Sequence, residues 1–458
     1  MKITILGAGR VGGSVAENLV GETNDITVVD SDPERLKYLQ DRFDLRTVCG
    51  NAAEPRILRQ AGLEDAEMLL AVTPSDAVNM VACQLAKTMF NVPTKIARIR
   101  SSDFRHHDPD FLTQHFGVDF AISPEDILTQ RLRQLLEYPE ALQVLDFAGG
   151  KARMVAMRAR QGGLLVGCPL CDLPKHLPAV DIRVAAIYRD NRAIFPDGDT
   201  VVAENDEVFF IAPAEQIRLV ARELRNIDRS VRRVMIAGGG NVGYRLARTI
   251  ENDFQVKLIE ANPARAEWLA QKLQKTLVLR GEATDEDLLD DENVGEMDVF
   301  LALTNDDEDN IMSSLLAKKI GARKVIALIN RGSYVDLLQG GKIDIAVSPS
   351  QMMIGSLLAH IRRGDMAAVH SLRHGAAEAF EAVAHGDAKT SRLVGRRLGQ
   401  ISFPAGASVG ALVRGEQVLM AHQNLQVHSG DHLIVFVANR RLVPKVEKMF
   451  EVGFGFWG

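Results

Sequence analysis

The chain has 458 residues, of which 46% are hydrophobic and 25% are charged, a balance that excludes a disordered or fibrous protein. Its 54 basic and 60 acidic residues leave a formal charge of −6, and only 5% of residues are aromatic, so a nucleic-acid-binding surface is not expected. No apolar run has the length of a transmembrane helix, no signal-peptide cleavage site follows the apolar start, and four cysteines predict a cytoplasmic protein without disulfides.

Apolar runs and helical patterns alternate along the first part of the chain. The runs 3–6, 26–29, 68–72 and 95–99 are typical of buried strands, and the segments 11–20, 35–43 and 78–88 have helical spacing. Strands and helices that alternate in this way predict an α/β fold with a doubly wound parallel sheet, the Rossmann-like class.

The chain then repeats itself. The segment 3–12 recurs as 234–243, and the Ser-Pro pair at 123–124 recurs at 348–349. The remainder of each half repeats too, because Arg189 and Arg414 are followed at equal spacing by Asp206 and Asp431. The internal tandem repeat predicts two Rossmann-like domains, at 1–140 and 231–366, each followed by a small α+β domain, at 141–228 and 367–458.

Each Rossmann-like domain opens with a strand followed by a glycine loop of the form Gly-x-Gly-x-x-Gly. The loops are Gly7-Ala8-Gly9-Arg10-Val11-Gly12 and Gly238-Gly239-Gly240-Asn241-Val242-Gly243. The first glycine permits a tight turn, the second lets the backbone approach a pyrophosphate, the third allows close helix packing, and the helix N-terminus attracts the anion. We therefore expect a nucleotide site in each half; the alternative is a Rossmann-like domain that binds no ligand.

An acidic residue follows each loop at the spacing of the dinucleotide fingerprint, about 20 residues on. These residues are Asp30 and Glu260. Because a carboxylate there accepts hydrogen bonds from both ribose hydroxyls and repels a 2′-phosphate, the sequence favours NAD(H) over NADP(H).

Further candidate ligand contacts come from other repeated positions. They are Asn51 and Ala52, Thr73 with Pro74, and Arg98 in the first half, and Gly281, Glu282 and Thr304 in the second. Thr73 and Thr304 end strand-like runs, where a hydroxyl either contacts the ligand or caps the strand. Arg98 and Arg100 lie in a predicted buried strand, where an unpaired arginine is costly and a guanidinium is suited to a pyrophosphate. The second half has Leu328 and Asn330 there, so the two sites cannot hold a ligand identically.

Neither a metal site nor catalytic machinery is expected. Cys168 and Cys171, with His176 nearby, have no counterpart in the second half and no second cysteine pair to complete a zinc site. We expect Cys49 and Cys83 in the core, and His106 and His107 on the surface. The small domains repeat no acid–base pair, so the sequence predicts a binding protein and not an enzyme, with an NAD-dependent oxidoreductase as the alternative.

Two amphipathic runs, 127–136 and 352–361, follow the Ser-Pro pairs. The first carries apolar residues on one helical face. The sequence leaves open whether these helices pack inside the chain or against a partner.

Together, the doubled domain order, the paired loops with Asp30 and Glu260, and Ala97-Arg98 resemble the TrkA family over essentially the whole chain. These proteins are cytoplasmic nucleotide-binding regulatory subunits of bacterial Trk potassium-uptake systems, with two RCK (KTN) domains each followed by a TrkA-C module. The resemblance implies a homo-oligomer, a dimer or a tetrameric ring, at the inner face of the plasma membrane. This assembly would bind a TrkH- or TrkG-type transporter and gate potassium flux according to bound NAD(H), ATP or ADP.

The resemblance also assigns ligand residues one by one. The first site would use Gly7, Gly9, Arg10, Val11, Asp30, Thr73 and Arg98, and the second Gly238, Gly240, Asn241, Val242, Glu260 and Thr304. Leu328 in place of the arginine leaves the second site's ligand open.

Overall fold

The computed structural model describes the chain except for residues 21–23, 106–109, 164–165, 179, 191, 218, 220–229, 332–333, 336–337, 339–340, 362–365, 373–376 and 453–458. The expectation for His106 and His107 therefore lies outside the described residues. None of the helices formed by the described residues is both long and apolar enough to span a membrane.

The first Rossmann domain is a six-stranded parallel sheet with helices between the strands. Its elements are β1 (Lys2–Leu6), α1 (Arg10–Val20), β2 (Asp25–Asp30), α2 (Pro33–Gln40), β3 (Arg46–Cys49), α3 (Pro55–Gln60), β4 (Met68–Ala71), α4 (Asp76–Thr88), β5 (Thr94–Arg98), α5 (Ser102–Arg105), α6 (Phe111–Phe116), β6 (Phe120–Ile122) and α7 (Pro124–Glu137). The strand order β3-β2-β1-β4-β5-β6 confirms the predicted doubly wound sheet.

The first small domain is an antiparallel sheet in the order β10-β9-β11-β8-β7, formed by β7 (Ala141–Phe147), β8 (Ala152–Arg158), α8 (Leu173–His176), β9 (Arg183–Arg189), β10 (Arg192–Ile194) and β11 (Glu207–Pro213). Arg189 and Asp206, noticed in the sequence for their repeated spacing, form a forked ion pair with N···O distances of 2.9 and 2.7 Å. Arg414 and Asp431 form the same fork at 2.8 and 2.7 Å. Both carboxylates are buried, so the repeated spacing of arginine and aspartate marks an ion pair that stabilises the fold.

The second half repeats both architectures. Its Rossmann domain contains β12 (Arg233–Ala237), α9 (Asn241–Ile250), β13 (Gln255–Glu260), α10 (Pro263–Lys272), β14 (Leu277–Arg280), α11 (Glu286–Asp291), β15 (Val299–Ala302), α12 (Asp307–Ile320), β16 (Lys324–Leu328), β17 (Ile345–Val347) and α13 (Pro349–Ile361). Its small domain contains β18 (Met366–Leu372), β19 (Ala377–Val383), β20 (Ala407–Arg414), β21 (Gln417–Met420), β22 (His432–Val437) and α14 (Val443–Phe450). The strand orders, β14-β13-β12-β15-β16-β17 and β18-β19-β22-β20-β21, match those of the first half.

The amphipathic helices α7 and α13 are exchanged between the halves. Leu128, Leu132 and Leu135 of α7 lie in the apolar core of the second Rossmann domain, beside Leu246 of α9. Met353, Ile354 and Leu357 of α13 lie in the core that contains the first Rossmann domain. The question left open by the sequence is therefore answered within the chain, because each helix buries its apolar face against the other half.

The two small domains pack sheet against sheet. Phe209 of the first and Phe436 of the second lie in one apolar cluster, with ring centroids 6.0 Å apart. Buried Glu381 of the second domain accepts the Ala148 N–H of the first at 2.6 Å, so a polar contact also crosses this interface. The halves thus share core at both the Rossmann helices and the small sheets.

Candidate functional site

The two glycine loops have the same shape. Gly7 and Gly238 adopt φ values of +106° and +102°, which only glycine adopts without strain. A Cβ on Gly12 would lie 1.8 Å from the Gly7 carbonyl oxygen, and one on Gly243 would lie 1.9 Å from that of Gly238. The first and third glycines of each loop are therefore required by the backbone itself.

The middle glycines face open space instead. A Cβ on Gly9 or Gly240 would have no atom within 4 Å, so each loop leaves an uncovered stretch of backbone. The helices α1 and α9 begin directly after these glycines, at Arg10 and Asn241, where the first amides have no partner within the helix. Neither first turn contains an acidic residue. Exposed backbone and free amides suit an anionic group such as a pyrophosphate.

The acidic residues at the ends of β2 and β13 hold the glycine loops in place. Asp30 accepts the Ala8 N–H at 2.5 Å and the Asp32 N–H at 2.8 Å. Glu260 accepts the Gly239 N–H at 2.8 Å and the Asn262 N–H at 2.9 Å. A carboxylate has about four acceptor positions, so each residue retains capacity for ribose hydroxyls. The fingerprint predicts only the ribose role; the loop-fastening role emerges from the structure.

The second half contains a cleft of about 380 Å³ at the carboxyl edge of its sheet. It brings together six predicted site residues: Gly238, Gly240, Glu260, Gly281, Glu282 and Thr304. Gly239, Asn241, Val242 and Gly243 belong to the same loop and first helical turn but are not part of this lining. The volume falls within the usual range for ligand pockets.

In the first half, Asn51 and Ala52 follow β3 beside the acidic residue. The Gly50 N–H donates to the Asp30 carbonyl at 2.9 Å, as Gly281 does to Glu260 at 3.1 Å. Asn51 is exposed and accepts the Ala53 N–H at 3.0 Å, while Ala52 is buried. Arg10 and Pro74 are exposed, and Val11 is half-buried on the first turn of α1.

Thr73 and Thr304 are held by an asparagine that sequence reasoning did not assign to the site. The Thr73 hydroxyl donates to Asn79 Oδ1 at 2.7 Å, and the Thr304 hydroxyl donates to Asn310 Oδ1 at 2.8 Å. Both asparagines are fully buried and also donate to the end of the next strand, at the carbonyls of Arg98 and Leu328. Each hydroxyl proton is thus used in capping. The signal was the recurrence of Asn79 as Asn310.

Arg98 lies at the end of β5, and β4 separates it from β1, so about 10 Å of sheet lies between this arginine and the glycine loop. Its Nη2 is 3.5 Å from Glu125 Oε1 on α7, and the Arg100 Nε is 3.4 Å from the same oxygen. Arg98 Nε is buried with no acceptor among the described residues. Burial, followed by the neighbouring Arg100 charge, lowers the pKa of Arg98.

The second half has lost both members of this ion pair. Leu328 occupies the place of Arg98, and Ser350, which lies 3.0 Å from Ser348 through their hydroxyls, occupies that of Glu125. Cation and anion are both absent from the copy, which fits a structural pair within the chain.

Arg265 is a candidate site residue that sequence reasoning missed. It lines the second cleft, donates from Nε to the Gly239 carbonyl at 2.9 Å, and stacks 4.2 Å from the Trp268 ring centroid. In the first half the equivalent Arg35 pairs with Asp32 at 3.2 Å. The signal was the change of Asp32 to Asn262, because this change removes the carboxylate that holds the arginine away from the loop.

The cysteines form no metal centre within the described residues, where no group of three or more His, Cys, Asp and Glu side chains is placed to hold an ion. Cys168 is half-buried and Cys171 exposed. Cys83 is in the core as predicted, and burial raises its pKa to about 12. The prediction that Cys49 is a core residue is wrong, because it ends the edge strand β3 and is exposed.

The fold and the paired glycine loops define a tandem protein of Rossmann domains with small accessory sheets. The TrkA-N domain family matches residues 3–124 and 234–349, and the TrkA-C domain family matches residues 155–225 and 388–450. The Trk system potassium uptake protein TrkA of Halomonas elongata is 55% identical over 457 residues, 100% of both chains. The protein of the same name from Vibrio alginolyticus is 52% identical over 98% of this chain and 99% of its own. The chain therefore belongs to the TrkA family.

Solved structures share the fold at low identity. The GsuK RCK domain aligns with a TM-score of 0.62 and 15% identity, over 98% of this chain and 94% of that one. The GsuK channel bound to NAD aligns with a TM-score of 0.63 and 16% identity, over 98% and 78%. RCK architecture thus extends over both halves.

Proposed function

We propose that the chain is the nucleotide-sensing regulatory subunit of a membrane potassium-uptake transporter. It binds NAD(H), with ATP and ADP as competing ligands, and gates a TrkH- or TrkG-type partner from the cytoplasmic side as a homo-oligomeric ring or dimer peripheral to the membrane. Two sets of names support this proposal. Its full-length relatives are named potassium uptake proteins, and the GsuK structures that share its fold are described as bound to NAD and to ADP.

The nucleotide would be held by the groups that the loops leave available. The backbone around Gly9 and Gly240 and the free amides of α1 and α9 would bind the diphosphate. The remaining acceptor positions of Asp30 and Glu260 would bind ribose hydroxyls. A bound dinucleotide supplies negative charge and a hydroxyl pair, which match these two sets of groups.

The observation that carries a regulatory role is the exchange of helices. The helix α9, whose N-terminus forms the second anion site, packs against α7 of the first half. Arg245 on α9 pairs with Asp126 on α7 and donates to the Arg100 carbonyl at 2.7 Å. On the other side, Arg440 of the second half donates to the Asn18 side chain of α1 at 2.6 Å. A ligand that moves either glycine-loop helix therefore acts directly on the opposite half.

A sensing role also fits the residues in the second cleft. Among the described residues that line it, the titratable ones are Glu260, Arg265, Glu282 and Asp309, and there is no histidine, tyrosine, lysine or cysteine. Glu260 already accepts two backbone amides, and Arg265 is bonded to the loop. The cleft thus offers binding groups without a proton donor of the kind that a hydride-transfer enzyme places beside its substrate.

The proposal is tested first by nucleotide binding. Purified protein is titrated calorimetrically with NADH, ATP and ADP, as wild type, Asp30→Ala, Glu260→Ala and the control Glu34→Ala, which removes an exposed carboxylate close to the first site. We expect each site variant to lose about tenfold in affinity at one site, since a hydrogen bond to a charged group is lost, and the control to match wild type. Absence of nucleotide binding by wild type would refute the sensing role.

Gating is tested separately by potassium uptake in cells that lack this subunit. Wild type should restore uptake, and Asp30→Ala should restore it with an altered response to the cellular NADH level. Unchanged uptake in the complete absence of the protein would refute the transport role even if nucleotides bind.

A further inference from the structure

A cavity of about 600 Å³ lies between the two halves, away from both glycine loops. Its walls come from α7 and β7 of the first half and from α13 and β18 of the second, together with the ends of β6 and β17. The two halves contribute equivalent elements, so the cavity lies at the pseudo-symmetric centre of the repeat. Its size is that of a small-molecule site.

Arg131 of α7 places a half-buried guanidinium in this cavity. Its Nη1 is buried and has no hydrogen-bond partner among the described residues. Burial lowers the pKa of Arg131 to about 10, and the nearby Asp146 charge offsets only part of this effect. A buried guanidinium N–H without an acceptor is costly, so a protein that retains one is expected to use it.

The other charged groups facing the cavity are already satisfied. Asp146 accepts from Arg153 Nε at 2.5 Å and from the Gln134 side chain. Asp126 pairs with Arg245.

Two neutral side chains add hydrogen-bonding groups. His370 lies 3.0 Å from the Asp146 carbonyl through Nε2, and burial lowers its pKa, so the imidazole adds no positive charge at neutral pH. Gln143 Oε1 is buried without a donor among the described residues, and a flip of this amide would direct its N–H groups into the same space. Among the described lining residues the charged ones are Arg131 and the two ion-paired carboxylates Asp126 and Asp146, so Arg131 is the cation that an anionic ligand would meet.

At two equivalent positions of the repeat, the second half lines the cavity with smaller side chains than the first half does. Ser356 is the repeat equivalent of Arg131, and Ala368 is the repeat equivalent of Gln143. The second half therefore supplies small residues where the first supplies long polar ones. Protein interfaces normally interdigitate to interior density, and small residues facing a charged one leave room for an occupant.

We propose that this cavity binds a small oxyanion, a carboxylate or a phosphate, which Arg131 holds through the N–H groups of its unpartnered Nη1. The planar guanidinium matches both groups in geometry. An anion beside Arg131 lies within the space bounded by Ser356 and His370, so it contacts both halves and stabilises one arrangement of them. This site is separate from the glycine loops and does not depend on the nucleotide proposal.

Binding is tested with inorganic phosphate and with citrate, in the presence of saturating NADH to occupy the glycine loops and with chloride as an ionic-strength control. Wild type is compared with Arg131→Met, with the cavity-filling variant Ser356→Leu, and with Arg133→Met. The last variant removes the same charge from the same helix at a residue already paired with Glu137.

We expect phosphate or citrate to raise the melting temperature of wild type and Arg133→Met. We expect affinity to fall about tenfold or more in Arg131→Met, because a charge-assisted bond is lost, and Ser356→Leu to block binding. A response to only one of the two probes identifies the ligand as phosphate-like or carboxylate-like.

Two outcomes would overturn the proposal. One is an equal melting shift in wild type and Arg131→Met. The other is a wild-type crystal soaked in selenate that shows no anomalous signal beside Arg131. Without added anion, Arg131→Met should melt at or above the wild-type temperature, because it removes a charge whose desolvation Asp146 offsets only in part. A lower melting temperature together with an unchanged phosphate response would assign the arginine a structural role only.

Discussion

The first and second Rossmann domains share their backbone and differ in the charges beside their glycine loops. In the first, Arg35 is paired with Asp32, and Arg98 is paired with Glu125. In the second, the counterpart of Arg98 is Leu328, while Arg265 has no equivalent of Asp32 and is bonded to the loop carbonyl of Gly239. The first half thus pairs both Arg35 and Arg98 with carboxylates, and the second directs Arg265 toward the candidate cleft.

The difference separates two kinds of constraint on a repeated fold. Contacts made by glycines and buried amides are identical in the two halves, because the backbone demands them. Charged side chains at the rim are free to change in pairs, since a carboxylate and a guanidinium can be lost together without leaving either unpaired. We therefore expect substitutions of the glycines and buried amides to destabilise each half to the same extent. Substitutions of the charged rim residues should affect one half only.

The largest effect is expected at the third glycines. Gly12→Ala and Gly243→Ala each force a methyl group against a backbone oxygen less than 2 Å away. Each should destabilise its domain by about 3 kcal/mol or more, because a backbone cannot give way as a side chain can. Urea unfolding monitored by hydrogen exchange in each half measures the effect. Gly9→Ala, which meets no atom within 4 Å, should retain wild-type stability; a loss equal to that of Gly12→Ala would contradict the steric account.

A somewhat smaller but again symmetric effect is expected at the buried asparagines. Asn79→Ala leaves the Thr73 N–H and the Arg98 carbonyl without their partner, and Asn310→Ala does the same at Thr304 and Leu328. Each should cost about 2–3 kcal/mol, the penalty for buried polar groups that lose their bonds. Matching losses of hydrogen-exchange protection at the ends of β4 and β15 would support a shared scaffold, whereas a loss in one half only would break the symmetry.

The Arg98–Glu125 pair tests the second kind of constraint. Arg98→Leu alone removes one guanidinium from Glu125, whose side chain is only 11% exposed, and should destabilise the first half by about 2 kcal/mol. The double variant Arg98→Leu with Glu125→Ser imitates the second half and should recover at least half of that loss. Chemical unfolding of the two single variants and the double variant gives the coupling energy. Strictly additive losses would show that the two residues act independently, and a loss of NADH affinity in Arg98→Leu alone would assign the arginine to the ligand.

Whether the sequence predicts a feature depends on how far apart along the chain the interacting residues lie. The loops, the acidic residues and the doubly wound class of the sheet follow from local patterns, because strand, turn and helix signals lie within a few residues of one another. The destination of α7 and α13 does not, since an amphipathic stripe packs equally well on any apolar surface. Glu125 as the partner of Arg98 depends on how α7 folds back after β6, which spacing along the chain does not reveal. The edge strand β3 escapes detection because it is four residues long, its side chains are partly exposed, and it lacks an apolar run.

Arg265 provides the most direct comparison of the two sites, with the smallest expected effect. Arg265→Met keeps the packing on Trp268 but removes the bond to the Gly239 carbonyl and the positive charge at the cleft. Calorimetry in the Asp30→Ala background, in which the first site is already weakened, should show about tenfold weaker nucleotide binding at the second site, since a charge-assisted contact is lost. Arg35→Met in the Glu260→Ala background is the matched control and should leave the first site unchanged, because Arg35 is engaged with Asp32 and exposed. Equal losses at the two sites would mean that both arginines contact ligand. The change from Asp32 to Asn262 would then not explain any difference in nucleotide binding between the two sites.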